Sequence, residues 1–342
     1  MSEEKKRQER VEKLGNAFVT RKIERDIHKS LDQVRATRLN AREPSNVVIW
    51  GETGVGKSFI IEQYLAKRRN ITEEHGSLRQ DLIAIELEGA TSPVLIAAEL
   101  ARQLQLPDLP KGRTNSDAGP ITQAVKHQML MQGVEMVIID EFHHIAPNEG
   151  AGTAGRVARW VKSLSKKKER SRETPFGVRE ANIPIVMVGT EKVHDLVLKD
   201  AELLSITPYF FEIGRYTHDT PAEQQRWQML LTELDDRLPF DEFSCLGEPE
   251  LAFKIHQVTY GFLRQLGQLV TEAGRLAIER GLPRITEAEL YDSVETQRVL
   301  LQAGRLSGSA SAAQRKAIPN PFDGGTLDAM RLRGVLEDAM ML

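Results

Sequence analysis

Residues 47–58 read Val47-Val48-Ile49-Trp50-Gly51-Glu52-Thr53-Gly54-Val55-Gly56-Lys57-Ser58. The apolar run Val47–Trp50 has the length and β-branched content of a buried strand. Residues Gly51–Ser58 match G-x-x-x-x-G-K-[ST] at every specified position. Glycines let the backbone curl so that successive N–H groups converge on phosphate oxygens, which a Cβ would obstruct. The helix expected from about Lys57 adds its unpaired N–H groups and positive dipole end to the same anion. Lys57 supplies a point charge for the β- and γ-phosphates, and the Ser58 hydroxyl suits the shell of a Mg²⁺ ion. Gly51, Glu52, Thr53, Gly54, Val55, Gly56, Lys57 and Ser58 therefore predict a loop that holds a nucleoside triphosphate with Mg²⁺.

Strand-like runs recur at Leu82–Leu87, Val134–Ile139, Pro184–Val188 and Tyr209–Ile213. Between them lie helix-like segments at Phe59–Lys67, Val94–Leu104, Ile121–Met131 and Val157–Leu164. Strands that alternate with helices predict βαβ units and a parallel sheet. After Tyr216 the strand signals stop, and Pro221–Leu234, Glu248–Thr259, Gly261–Arg280 and Thr286–Gln297 read as helices. Thr286 with Glu289 has the form of a capping box opening the last of them. On the other side of the loop, Phe18, Ile23, Ile27, Leu31 and Val34 recur at helical spacing. The expected organisation is a basic arm and helix over 1–45, an α/β nucleotide-binding core over 46–216, a smaller all-helical lid over 217–297 and a flexible tail over 298–342. Leu327, Met330, Val335, Leu336 and Met340 would let that tail end in an amphipathic, partner-binding helix.

Composition narrows the class of protein. The 342 residues carry 46 Lys and Arg against 49 Asp and Glu, a net charge of −3, so any contact with nucleic acid must come from a local patch. Apolar runs are strand-sized, far short of the ~20 residues of a membrane span. The charged N-terminus lacks the apolar segment of a secretory signal, which predicts a cytoplasmic protein without a membrane partner. The lone Cys245 excludes an intrachain disulfide.

Two further strand ends carry chemistry. Met136-Val137-Ile138-Ile139 runs into Asp140 and Glu141. Asp140 is the candidate Mg²⁺ partner, and Glu141 the candidate base for water attacking the γ-phosphorus. His143 and His144 come next; adjacent helical residues point about 100° apart and no i+4 partner or thiolate completes a site, so polar roles beside the site or in the loop are expected rather than a structural metal. Pro184–Gly189 runs into Thr190, whose hydroxyl would share the rim of the sheet with Ser58 and Asp140. Arg264 opens a helix, where a cation is electrostatically out of place unless it reaches toward a phosphate.

Together these features resemble the AAA+ ATPases, and residues 18–297 are similar to the TniB/TnsC family of transposition ATPases. The resemblance rests on Ile49–Ser58, on IIDEFHH (138–144), MVGT (187–190) and FEIGRY (211–216), and on RWQMLLTELDDRLP (226–239). Its most family-like part is GFLRQLGQLVTEAGRLAIERG (261–281), with RITEAEL (284–290) after it. It implies a P-loop AAA+ parallel sheet flanked by helices with a helical lid. Within that frame Asp140 and Glu141 become the Walker B pair, Thr190 sensor 1 and Arg264 a sensor-2-like residue. The family's function would be ATP-dependent assembly, as a ring or filament of copies, on double-stranded DNA. There it would link a TniQ-like or other target selector to a transposase. AAA+ proteins commonly place an arginine finger just before the fifth strand, often as Ser-Arg-Phe, whereas the segment here, Leu203–Phe210, contains no arginine. Arg215, Arg156 or Arg159 would have to serve instead, so hydrolysis is expected to be slow.

For DNA, residues 156–172 hold eight cations and one acid. Lys162, Lys166, Lys167, Lys168 and Arg170 are its candidate phosphate contacts, with Lys111 and Arg113 as secondary candidates. The competing readings are another AAA+ DNA-metabolism ATPase, such as a helicase loader or an IstB-like protein, and a nucleotide-gated DNA scaffold in which turnover is incidental.

Overall fold

The computed structural model describes residues 3–74, 77–89, 91–106, 119–145, 151–166, 181–302 and 320–323. In chain order the elements are α1 (Glu3–Gly15), α2 (Lys22–Thr37), β1 (Val47–Trp50), α3 (Lys57–Arg68), β2 (Ile71–Glu74), β3 (Ser77–Gln80), β4 (Leu82–Glu86), α4 (Pro93–Gln103), α5 (Gly119–Gln132) and β5 (Met136–Asp140). A 3₁₀ turn over Phe142–Ile145 comes next, then α6 (Ala151–Ser165), β6 (Ile185–Gly189), α7 (Glu191–Leu198), α8 (Ala201–Ser205) and β7 (Tyr209–Glu212). The last four are α9 (Pro221–Asp235), α10 (Pro249–Thr259), α11 (Leu263–Glu279) and α12 (Glu287–Gln302). They fall into two compact units, one of residues 21–52 and 56–214, the other of 1–20, 53–55 and 215–342.

The first unit is built on a five-stranded sheet in the order β4-β5-β6-β1-β7, parallel throughout. From β1 the chain crosses to the far edge at β4 and steps back through β5 and β6. It then passes over β1 to end at β7, so the strand order reverses beside β1. Ligand crevices of open α/β sheets form at the carboxyl side of such a reversal. β5 and β6 are buried at every position, as a central parallel strand covered on both faces must be. Helix α2 contributes Ile27, Leu31 and Val34 to the interior, the spacing expected of an apolar stripe. Its polar side is fastened by Arg35, whose guanidinium reaches Asp81 at 2.8 Å and Glu135 at 2.7 Å.

The second unit is helical among its described residues. Trp227 of α9 is fully buried, and its indole N–H donates to the Ala252 carbonyl at 2.8 Å. Thr220 and Glu223 form a capping box at the start of α9. At α12 only half of that device is present, with the Thr286 N–H donating to Glu289 at 3.0 Å. The Thr286 hydroxyl also donates to Glu289 rather than accepting from the helix. Arg280 pairs with the same buried carboxylate at 2.7 Å.

Several boundaries differ from the sequence reading. The charged arm contains a helix, α1, which groups with the helical unit and buries Leu14 against α11 at Gly274, while α2 groups with the sheet. Helix α12 extends to Gln302. Beyond it, Phe322 is buried among the helical unit's apolar residues. The Asn320 amide holds that segment by donating to the Tyr291 carbonyl at 3.2 Å and Glu295 at 3.0 Å. The proposed terminal helix lies outside the described residues.

Candidate active site

The carboxyl ends of β1, β6 and β5 bring the sequence candidates of the sheet unit together. Register pairs Trp50 with Gly189 and Ile139 with Met187, so Gly51, Thr190 and Asp140 all lie at the ends of adjacent strands. The Gly51 N–H donates to the Gly189 carbonyl at 3.2 Å, joining the loop to the end of β6. Gly54 and Gly56 have φ of 92° and 97°, left-handed values that oppose a side chain. Gly56 is the N-cap of α3, which begins at Lys57. The Lys57 ammonium is buried and donates within the loop, to the Gly51 carbonyl at 2.9 Å and the Glu52 carbonyl at 2.8 Å. A cation held inside a ring of backbone is the charge that a phosphate chain would meet.

Asp140 is 9% exposed, and its Oδ1 accepts the Glu141 N–H at 2.8 Å. Glu141 has φ of +53°. Left-handed backbone at a residue other than glycine stores strain of about 1–3 kcal/mol and concentrates at functional sites. The Thr190 hydroxyl is buried without a hydrogen-bond partner among the described residues. An orphaned polar atom of this kind costs about 1–3 kcal/mol, which a phosphate oxygen or its water would recover. The curled loop, the enclosed amine and the orphaned hydroxyl fit a nucleoside triphosphate. Ser58 and Asp140 would hold its Mg²⁺, which supplies charge neutralisation at the phosphate oxygens.

Arg264 stands in the first turn of α11 with no acidic residue beside it in that turn. Its backbone N–H donates to the Gly54 carbonyl at 3.0 Å, and Thr53–Val55 group with the helical unit. Between Leu203 and Phe210 lie the end of α8 and the start of β7, again without an arginine. Arg215 lies over the Phe262 ring at 5.5 Å, and the Arg159 Nε–H donates back to the Gly155 carbonyl.

The histidines depart from the sequence expectation. They sit in a 3₁₀ turn, and although adjacent positions there diverge by about 120°, their rings lie 4.3 Å apart between centroids. His143 Nδ1 is 3.2 Å from the Glu141 carboxylate. Ligand atoms of Glu141, His143 and His144 all lie within 4.8 Å of one another, and they are the one such metal-capable group among the described residues. Burial, then the charges of His144, Lys192 and Lys57, hold His143 below the usual histidine pKa. That adjacency of Asp-Glu to His-His was visible in the sequence; the closeness of the rings to one another and to Glu141 was not.

Of the DNA candidates, Lys162 pairs with Glu202 at 3.0 Å and Lys166 with Glu43 at 2.7 Å. Lys167, Lys168, Arg170, Lys111 and Arg113 lie outside the described residues.

A family model described as an AAA domain (AAA_22) matches residues 40–197. The fold is that of the AAA+ P-loop proteins. The ORC1-type DNA replication protein 10 of Halobacterium salinarum is similar to this chain, at 24% identity over 144 residues. That match covers 40% of this chain and 34% of the relative, so the chain spans about a third of the relative's length. Among solved structures, the Aeropyrum pernix ORC2 protein, in ADPNP–ADP complexes, gives a TM-score of 0.55 at 13% identity. It covers 91% of this chain and 82% of its own. The Aeropyrum pernix ORC1 protein, in complex with DNA, gives 0.50 at 16% identity, over 81% and 66% respectively. The stretch matched by that family model runs from before β1 into α7 and so contains Lys57, Asp140, Glu141 and Thr190. Among the described residues no helix is long and apolar enough to cross a membrane.

Proposed function

We propose that the protein is an ATP-hydrolysing AAA+ factor that assembles on double-stranded DNA and regulates transposition, linking a target selector to a transposase. The observation that carries the ATPase part is the meeting of the Lys57 loop, Asp140-Glu141 and the orphaned Thr190 hydroxyl at three adjacent strand ends. In this reading Lys57 binds the β- and γ-phosphates and Thr190 contacts the γ-phosphate or the attacking water. Glu141 draws a proton from that water as it adds to phosphorus, and ADP leaves. The arginine-free stretch before β7 supports slow turnover by isolated protein, because trans arginines contribute about 10³–10⁵ in rate. The transposition part rests on the resemblance of residues 18–297 to the TniB/TnsC family.

The test is to measure ATP hydrolysis and duplex binding by wild type, K57A and E141Q. K57A should lose nucleotide binding. E141Q should bind ATP, fail to hydrolyse it and remain locked on DNA. Wild-type behaviour of E141Q would favour the scaffold reading and refute a hydrolysis-driven switch. A second reading, an AAA+ factor of DNA replication or repair, is favoured by the similarity to the ORC1-type replication protein. Stimulation of the protein's ATPase by a DDE-type transposase, should its gene neighbourhood encode one, would decide for transposition, and a neighbourhood without a transposase gene, or indifference to the transposase, would decide against it.

A further inference from the structure

We infer that His143 is a positioning residue whose Nδ1 aims the Glu141 carboxylate, an inference that rests on the reading of Glu141 as the base. Glu141 is anchored at its backbone, where the N–H meets Asp140 Oδ1 at 2.8 Å and the carbonyl accepts the His144 N–H at 3.0 Å. Its carboxylate, however, sits at the end of a side chain with three rotatable bonds, and a fixed backbone leaves it free to swing. A base must come within about 2.6–3.2 Å of the proton it takes, so a second point of fixation is needed. Among the described residues the one basic side chain within 4 Å of the carboxylate is His143, at 3.2 Å.

The imidazole is itself mostly enclosed. It lies in a 3₁₀ turn whose Phe142 and Ile145 are buried, and the His144 carbonyl accepts the Thr91 N–H at 3.0 Å. One side of its ring packs on His144. Beside it, Gly189 leaves room, since a Cβ there would stand 3.1 Å from His143 Nδ1 and 2.7 Å from the Val193 side chain. The glycine before Thr190 thus serves the histidine. Nδ1 is within reach of the carboxylate but not aligned for a hydrogen bond, and it has no other partner. Catalytic hydrogen bonds are commonly loose before substrate arrives and tighten once it is bound. A neutral imidazole, the form its surroundings favour, can orient a carboxylate without cancelling its charge.

Asparagine and glutamine separate this role from mere filling of space, because the Asn amide nitrogen falls near the position of Nδ1 and that of Gln near Nε2. Steady-state ATPase rates and the affinity for a fluorescent ATP analogue would be measured for H143A, H143N and H143Q, each checked for an unchanged melting temperature. H143A should lose about tenfold or more in kcat with analogue affinity within about twofold, the mark of a group acting after binding. H143N should recover most of that loss and H143Q little of it. Wild-type kcat in H143A, or equal recovery by Asn and Gln, would overturn the inference. Should E141Q itself hydrolyse ATP normally, the assignment of the base fails instead, and the two failures are distinguished by that one variant. If H143A does not fold, the contrast between H143N and H143Q still decides.

Discussion

Thr190 carries a hydroxyl that the folded chain leaves buried and unpartnered, so stability and activity should part company there. Valine has nearly the same shape without the polar atom. We expect T190V to raise the melting temperature or leave it unchanged, since removing an unsatisfied buried group relieves a cost of about 1–3 kcal/mol. ATP hydrolysis should fall by about tenfold or more if the hydroxyl meets the γ-phosphate or its water, as phosphate contacts in such sites act on the transition state. Calorimetry beside an ATPase assay checks both; a valine variant that melts lower and hydrolyses normally would remove Thr190 from the site. Thr190, Lys57 and Asp140 were legible in the sequence because each closes or succeeds an apolar run, and a parallel sheet puts all such ends on one rim. The contact of His143 with Glu141 was not, because it depends on the tightness of a four-residue turn and on space left by Gly189 in a different strand.

At the scale of elements, the strands and α2 could be read from periodicity, whereas the β2–β3 hairpin could not. Its residues Ile71-Thr72-Glu73-Glu74 and Ser77-Leu78-Arg79-Gln80 pair antiparallel without an alternating apolar face, and only such a face would have marked them as strands. Helix α1 escaped for a related reason: it is mostly exposed and its one buried apolar residue is Leu14. That residue fits against Gly274, where a Cβ would approach its methyls to 2.7 Å. L14A should therefore destabilise the helical unit by about 2–5 kcal/mol, the usual range for a buried leucine. Chemical denaturation monitored by circular dichroism would show it, and an effect below about 0.5 kcal/mol, the scale of surface changes, would mean α1 is not docked in solution. The same unit holds His256, which burial pushes down to about 4 while its Nε2–H donates to the Tyr216 carbonyl at 2.9 Å. Since the unfolded chain binds this proton more tightly, stability is complete above about pH 6.5 and falls as pH drops toward 4, by about 1.4 kcal/mol per unit. H256Q should flatten that window in denaturation midpoints compared at pH 7.5 and 5.5. An equally steep loss in the variant would assign it to other groups, among them His218, which burial also lowers.

For the whole molecule, the net charge of −3 would leave the proposed DNA binding to local cations, and two of these are already engaged. Lys166 reaches Glu43 and Lys162 reaches Glu202, so a phosphate must displace a carboxylate at each. E43Q should accordingly tighten duplex binding, while the triple variant K166A/K167A/K168A should weaken it and flatten its salt dependence by about 0.9 for each phosphate no longer neutralised. Binding isotherms at several salt concentrations measure both, and unchanged affinity in the triple variant would withdraw the patch. The buried Phe322 bears on how such molecules are made in the laboratory. A version shortened after Gln302 would strip an aromatic plug from the helical unit and bare the Tyr291 carbonyl to water. Loss of partner recruitment by that version would then report a damaged lid as readily as a missing tether, whereas a stop codon placed after Asp323 tests the tether with the plug still seated.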